Sequence, residues 1–308
     1  MLTLLQAQNL SLDALLKGII EVIVTESDVL KKLPFKNIVG NSLKYNREST
    51  LPTAGFYAVN DTWTESTHTV TQVSSSLTIL GGDADVDEFE KQTLSNINDQ
   101  EAIAISSKSK AVARKWDQTF IYGNTTTDPK QFNGLHALVP SAQMIHQGSG
   151  STGAALSLAN LDKTIDLVMP GKPDALIMNR TMRRRITAYY RSNAGAPQDR
   201  GSEAIPVKMY GDIPVLVDDW ITQTETISSA VYDAETGGAC TSIFAVKFGE
   251  DDKGVTGLQN GSIQKEKLGS LETKDAVRWR LKWYCGLALF STLALARIDG
   301  ITDAAVVV

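Results

Sequence analysis

The chain has 308 residues, 42% of them hydrophobic and 21% charged, with a formal net charge of −5, an ordinary soluble composition that can bury a substantial core in one or two domains. That acidic balance argues against a dedicated nucleic-acid binder, whose affinity rests on Lys and Arg neutralising phosphates, but not against passive containment of nucleic acid. The two cysteines, Cys240 and Cys285, exclude a disulfide framework and a CxxC metal pair and fit a reducing compartment.

In chain order, residues 11–24 (SLDALLKGIIEVIV) read as a short helix with Ser11 as N-cap and an apolar stripe through Leu12, Leu15, Leu16, Ile19, Ile20 and Ile23. Such a helix at a chain start docks either on its own core or on a neighbour, and both readings stay open. No charged n-region precedes it and no small-residue cleavage site follows, so no signal peptide is expected.

Lys36–Thr50 and Thr67–Leu80 are rich in Thr, Ser and Val with period-2 patterning and read as two strands. Between them, LPTAGFYAVNDTWTES carries turn signals and the aromatics Phe56, Tyr57 and Trp63. A two-stranded ribbon is marginal alone in water. It therefore either lies on its own domain or projects and is held by partners, and its polarity favours projection.

Gly81-Gly82 then break the chain, and the acids of DADVDEFEKQ are placed to open a helix. Neither Gly nor Pro occurs from Asp83 to Tyr122, and Val86, Phe89, Thr93, Ile97, Ala104, Ile105, Val112, Trp116 and Phe120 share one stripe. The expectation is a helix over 83–122, ~55–60 Å long at 1.5 Å per residue. Without sustained heptads it reads as a strut across a sheet rather than a coiled coil. In FIYGNTTTDPKQFNGLHAL, Gly123-Asn124 stops the strut and Phe132 to Leu135 returns the chain to the body, so this polar loop is a joint.

Beyond it the pattern becomes α/β. Leu158–Met169 is a helix capped by Ser157 and stopped by Pro170-Gly171, and DALIM (174–178) is a buried strand. Asn179 caps NRTMRRRITAYYRS, while YGDIPVLV and SIFAVKFG are further strands. From Asp275, Val277, Trp279, Leu281 and Trp283 alternate with Arg278, Arg280 and Lys282, and strands continue to about Ile298. The apolar run Cys285–Ala296, interrupted by Ser291 and Thr292, falls well short of the ~20 residues that span a bilayer.

Each chemical motif has a blander reading. Gly148, Gly150 and Gly153 match G-x-G-x-x-G, but the preceding MIHQ is short and polar and the helix opens late, so a flexible loop is the better reading. Asp174 stands at the distance of a ribose-binding acid but precedes its strand. His68, His136 and His146 fall in no metal or nucleophile motif. Arg180, Arg183, Arg184, Arg185 and Arg191 make a basic helix, read as a solvated or inter-subunit ion-pair face before a phosphate patch. Asp218-Asp219 and Glu250-Asp251-Asp252 read as acidic turns rather than cation ligands. No catalytic, cofactor or metal set emerges. Parts with too little surface of their own point instead to an assembly completed by neighbours.

That order of parts resembles the major capsid protein of tailed bacteriophages, whose fold is shared with encapsulin shells. The resemblance is carried by GGDADVDEFE, by IYGN…FNGL, by MYGDIPVLVDD with SIFAVKFG, and by VRWRLKWYCGLALFSTLALARI. It implies an α+β chain with an N-terminal arm (1–35), an extended β-hairpin E-loop (36–82) and a P-domain (83–148) built on a spine helix (83–122). An A-domain (149–262) and a return to the P-domain (263–308) complete it. It further implies pentamers and hexamers of an icosahedral shell around double-stranded DNA, assembled in the host cytoplasm and located in the virion. Its partners would be a portal and a separate scaffolding protein, or no scaffold, with no membrane, cofactor or reaction.

One branch of that family welds its subunits through an E-loop lysine. Here no Lys lies between Asn46 and Leu80, so no such cross-link is expected and stability falls to non-covalent contacts or a decoration protein. The expected inter-subunit contacts are Phe56, Tyr57 and Trp63 at the loop tip, Leu15 and Ile19 in the first helix, and Arg183 and Arg184. The alternatives are an encapsulin-like compartment shell and, remotely, a nucleotide-binding enzyme using the Gly148–Gly153 loop.

Overall fold

The computed structural model describes residues 2–3, 18–20, 22–23, 27–50, 52–89, 100–148, 153–193, 208–225, 240–250 and 253–308. Two six-stranded sheets and a two-stranded ribbon are arranged around one long helix.

The first sheet contains β1 (Leu2–Thr3), β2 (Pro34–Asn37), β11 (Val255–Gln259), β13 (Ala276–Leu289) and β12 (Gln264–Ser270) in that order, and β5 (Thr78–Asp87) also pairs with β13. Long β13 is the axis of this sheet, since β5, β12 and β11 all hydrogen-bond to it. Its alternation is as the sequence predicts: Leu281 and Trp283 are buried, while Arg278, Arg280 and Lys282 face acids across the ladder.

The expected helix start at Asp83 is overturned. Thr78–Asp87 is a strand in register with β13, Asp83 opposite Arg280 and Asp85 opposite Arg278. Both pairs are bidentate at 2.6–2.8 Å. Asp83, Asp85 and Asp87 alternate with buried Ala84 and Val86, so acids that suit a first helical turn here serve a charged strand face. Residues 88–89 are helical, 90–99 lie outside the described residues, and the described part of the expected helix, α2, is Gln100–Tyr122, its 23 residues spanning about 35 Å.

Helix α2 lies on the first sheet with Ile105, Val112, Ala113, Trp116 and Phe120 buried. Trp116 stacks on Phe120 at 5.0 Å and on Trp283 of β13 at 6.0 Å, and Phe35 of β2 closes the cluster 5.5 Å from Trp283. Gly257 of β11 admits the Phe35 ring, because a Cβ there would fall 2.5 Å from it. Residues 18–20 and 22–23 are helical, and Ile19, Ile20 and Ile23 join this core with Val29 and Leu30 of the short helix α1 (Asp28–Lys32).

The second sheet runs β6 (Met144–His146), β14 (Leu295–Thr302), β10 (Cys240–Val246), β7 (Ala175–Met178), β9 (Ile213–Val217) and β8 (Met209–Tyr210). Both of its faces are covered. Phe244 and Val246 belong to the core under α2, whereas Ile243 and Ala245 belong to a second core with Leu161, Val168, Met182 and Ile186. Those residues belong to, or flank, the helices α4 (Leu158–Asp166) and α5 (Arg180–Asn193). Double-sided burial explains why these strands read as unbroken apolar runs. Asn179 caps α5 by accepting the Met182 amide at 2.8 Å, whereas Ser157 precedes α4 without a side-chain cap bond.

Within 263–308, β12 and β13 belong to the first sheet, and after Phe290 the chain crosses to the second sheet, where β14 pairs with β10 and β6. The joint after α2 is close-packed. Gly123 donates to Thr119 O at 2.7 Å and Gly134 donates to Gly123 O at 2.8 Å. A Cβ on Gly134 would lie 2.4 Å from Thr119 O, so glycine is required for this approach. Phe132 and Leu135, the latter opening the single-turn α3 (Leu135–Leu138), fill the core beneath it.

Candidate assembly surfaces

The ribbon consists of β3 (Ser42–Thr50) and β4 (Thr69–Ser76), paired antiparallel from Ser42↔Ser76 outward. Its extent is thus narrower than 36–82, because Pro34–Asn37 and Thr78–Asp87 belong to the first sheet. Of the two supports open to the ribbon, its own domain supplies one at the base. At its base the Tyr45 hydroxyl donates to Leu289 O at 2.9 Å, Arg47 donates to Leu289 O at 2.5 Å and to Phe290 O at 3.3 Å, and the Tyr45 and Phe290 rings meet edge-on at 4.9 Å. Leu43, Leu77 and Ile38 add a small apolar cluster. The base is therefore held by its own chain and the tip projects.

At the tip, Thr53 and Ser66 bridge the two legs, the Thr53 amide donating to Ser66 Oγ at 2.9 Å and that hydroxyl donating back to Thr53 O at 3.0 Å. Ala58–Asp61 forms a turn with Asn60 in the left-handed region, φ 74°, and Asp61 accepts the Ala58 amide at 2.6 Å. Tyr57 and Trp63 stack at 4.3 Å, yet Trp63 stays 77% exposed, and Phe56 and Val59 are fully exposed beside it. The tip thus shows three apolar side chains, Phe56, Val59 and Trp63, to solvent.

The other expected contacts fall differently. Ile19 is 3% exposed and part of this chain's own core, so the own-core reading of the first helix holds there and Ile19 is not available to a neighbour. Leu15 lies outside the described residues. Arg184 is mostly exposed and 3.4 Å from Asp303, which Arg185 also engages at 2.6 Å, and Arg180 pairs with Asp219 at 2.6 Å. Arg183 faces a cleft between α1, α2, α5 and the end of β9.

The remaining chemical candidates are absorbed into structure. Asp174 accepts the Phe248 amide at 2.8 Å, which removes it as a ribose acid, and Gly153 is held in the left-handed region where a Cβ would strike Gly300 O. Gly150 lies outside the described residues. His68 is exposed; His146 Nδ1 sits 2.7 Å from Asp299. His136 is half-buried beside the Tyr122 and Phe244 rings, and burial, reinforced by the Arg297 charge, pushes it down to about 3. Glu250 pairs with Lys36. Among the described residues, no group of three His, Cys, Asp or Glu is arranged to hold a metal ion, and no helix is long and apolar enough to cross a membrane.

One polar cluster has no signature in the sequence. Arg297, 1% exposed in β14, donates to Ser242 Oγ at 2.8 and 3.0 Å and lies 3.6 Å from Glu225 and 3.8 Å from Asp299. Ser242 donates in turn to Glu225, which also accepts the Tyr122 hydroxyl at 2.6 Å. Burial raises the Glu225 carboxyl above the usual range, opposed by Arg297 and its two hydroxyl donors. The last residue of α2 is thereby tied to the middle of the second sheet. These residues are scattered from 122 to 299, and only the strand order brings them together.

A ribbon with an exposed aromatic tip, a long helix on a sheet and a second α/β lobe make a recognisable whole. A family model described as major capsid protein GP7 matches residues 13–161. Among solved structures, the holo-SrpI encapsulin complex from Synechococcus elongatus PCC 7942 is similar at TM-score 0.67 and 16% identity, over 90% of this chain and 88% of that one. This chain has the capsid fold. A protein of Microbacterium phage Oxtober96 superposes at TM-score 0.65 and 15% identity over 90% of each chain. The capsid of the native GTA particle gives 0.63 and 14%, also over 90% of each. No curated protein sequence matches the chain. In this capsid fold the family match spans the ribbon, the long helix and the joint, and the whole-chain likeness adds the second lobe.

Proposed function

We propose that this chain is the repeating subunit of a closed protein shell, the major capsid protein of a tailed bacteriophage, and that it works by assembly rather than catalysis. The observation that carries this is the pairing of a self-anchored ribbon with an unpartnered aromatic tip on a chain of capsid fold. A ribbon held at its base can reach across a neighbour without unfolding, and its Phe56, Tyr57 and Trp63 supply the buried aromatic anchors that carry most interface energy. The division into N-terminal arm, E-loop, P-domain and A-domain follows, with the E-loop drawn at 42–76. Pentamers and hexamers enclosing double-stranded DNA in the virion, assembly in the host cytoplasm, and a portal with a separate scaffolding protein belong to the same reading. An acidic chain suits a container, because a strongly basic lining would hold the genome.

The encapsulin likeness supports a second reading, a compartment shell filled with protein cargo. Expression of the chain with and without a scaffolding protein, followed by sedimentation and negative-stain microscopy, tests the shell. Closed particles or capsomer rings are expected. A stable monomer that binds a nucleotide would overturn the proposal. Particles that form without phage components and retain a host enzyme would favour the compartment.

A further inference from the structure

The sequence contains two Asn-Gly pairs, Asn133-Gly134 and Asn260-Gly261, and the fold treats them oppositely. Asn133-Gly134 is locked in the joint after α2. The Asn133 side-chain oxygen accepts the Thr125 amide at 2.9 Å and the Thr125 hydroxyl at 3.0 Å, and the Gly134 amide donates to Gly123 O at 2.8 Å. Gly134 is itself buried, with the Thr119 carbonyl packed against it.

Asn260-Gly261 lies where β11 gives way to β12. β11 follows β13 as far as Gln259↔Cys285, and β12 takes up the ladder at Gln264↔Lys282. The four residues 260–263 therefore stand against only two, Trp283 and Tyr284, and leave the ladder as a bulge does. The excursion is pinned at both ends, by the Asn260 amide donating to Tyr284 O at 3.2 Å and by buried Ile263. Asn260, Gly261 and Ser262 are exposed. Among the described residues, neither the Asn260 side chain nor the Gly261 amide has a hydrogen-bond partner. Gly261 sits at φ 73° in open space, where a Cβ would meet only Gln264 Nε2 at 3.9 Å.

We infer that Asn260 is a site of spontaneous deamidation and that the joint protects Asn133 from the same reaction. The Gly261 nitrogen, once solvent base has taken its proton, attacks the carbonyl carbon of the Asn260 side chain. The new C–N bond closes a succinimide ring, and the side-chain amide nitrogen leaves as ammonia. Water then opens the ring at one of its two carbonyls. Opening at the side-chain carbonyl gives aspartate; opening at the main-chain carbonyl gives isoaspartate, whose backbone carries an extra carbon. One water is consumed, one ammonia is released, and nothing is oxidised or reduced. Glycine suits the attacking position because it has no side chain to crowd the nitrogen and its backbone turns freely to bring it within reach. Either product adds a carboxylate to a chain whose net charge is already −5. The surplus residues of 260–263 leave room for the longer isoaspartate backbone without shifting the pairing on either side. The reaction belongs to the single chain and stands whether or not the chain builds shells.

Incubation of the folded full chain in mildly alkaline buffer, followed by tryptic digestion and mass spectrometry, tests it. The peptide Gly254–Lys265 is expected to convert progressively from amide to acid, with part of the product labelled by an isoaspartyl methyltransferase. The peptide Gln131–Lys163, which carries Asn133, is expected to convert slower by about tenfold or more, because the bonds of the joint must open before its glycine nitrogen can attack. In denaturant, where the joint is gone, the two are expected to convert at similar rates. Asn260→Gln, which would need a larger ring, is expected to abolish the acid gain in Gly254–Lys265 over the same period and to leave the thermal midpoint unchanged. An Asn260 that stays intact in the folded chain while it converts in denaturant would overturn the assignment. So would equal rates at Asn133 and Asn260 in the folded chain.

Discussion

Arg297 carries its charge where water does not reach. It neutralises Glu225 and Asp299 and shares Ser242 with Glu225. Breaking one member of a buried charged set costs ~3–5 kcal/mol because the survivors stay buried and unpaired. Arg297→Met is expected to lower subunit stability by about that amount in urea unfolding, and Glu225→Gln in the same chain to recover part of it. His136 gives a pH signature. Its folded-state value near 3 lies below its ordinary 6.5, so the neutral form is favoured in the folded chain. Stability is present above about 6.5 and is lost as pH falls from there toward 3. His136→Phe is expected to flatten that loss by on the order of 2 kcal/mol at pH 4.5 relative to pH 7, read from urea midpoints.

At the scale of elements, the ribbon, the strand β5 and the joint carry the argument. Two strands alone are marginal in water, so the ribbon depends on the bonds of Tyr45 and Arg47 to the end of β13. Replacing both by Ala is expected to raise hydrogen exchange across 42–76 by at least tenfold while β10 and β14 keep their protection. The joint depends on Gly134. Gly134→Ala places a methyl group against Thr119 O and is expected to cost ~1–3 kcal/mol, seen as a lower thermal midpoint with the ribbon unaffected. The mistaken helix start at Asp83 is instructive here. DADVD satisfies a helical first turn and an alternating strand equally well, and only Arg278 and Arg280, about 195 residues later, decide between them. Local periodicity holds no information about a cross-strand partner so far away. Ile19 is the parallel case: its stripe announced burial, but whether in this chain or a neighbour depended on Val29 and Trp116 being within reach.

For the whole molecule, the exposed tip should matter to assembly and hardly at all to the subunit. Phe56 touches nothing that would be lost in the free chain, so Phe56→Ala is expected to leave unfolding within ~0.5 kcal/mol of the parent. The same variant is expected to raise the protein concentration needed for shell formation at least tenfold, measured by light scattering, since an interface hot spot is worth ~2 kcal/mol or more. Deleting residues 50–65 carries the test further: a soluble body that no longer closes shells is expected. The sequence by itself determined the parts and their order: polar ribbon, amphipathic strut, glycine joint, twice-buried strands and the alternating apolar and basic strand β13. Those follow from periodicity, turn chemistry and capping, which act within a few residues. Only the tertiary structure decided that Asp83 begins no helix, that β14 leaves its neighbour β13 for the other sheet, and that Tyr122, Glu225, Ser242, Arg297 and Asp299 form one buried set. Each of these is a contact between distant segments, set by which strands pair and by the need of buried charge for a partner.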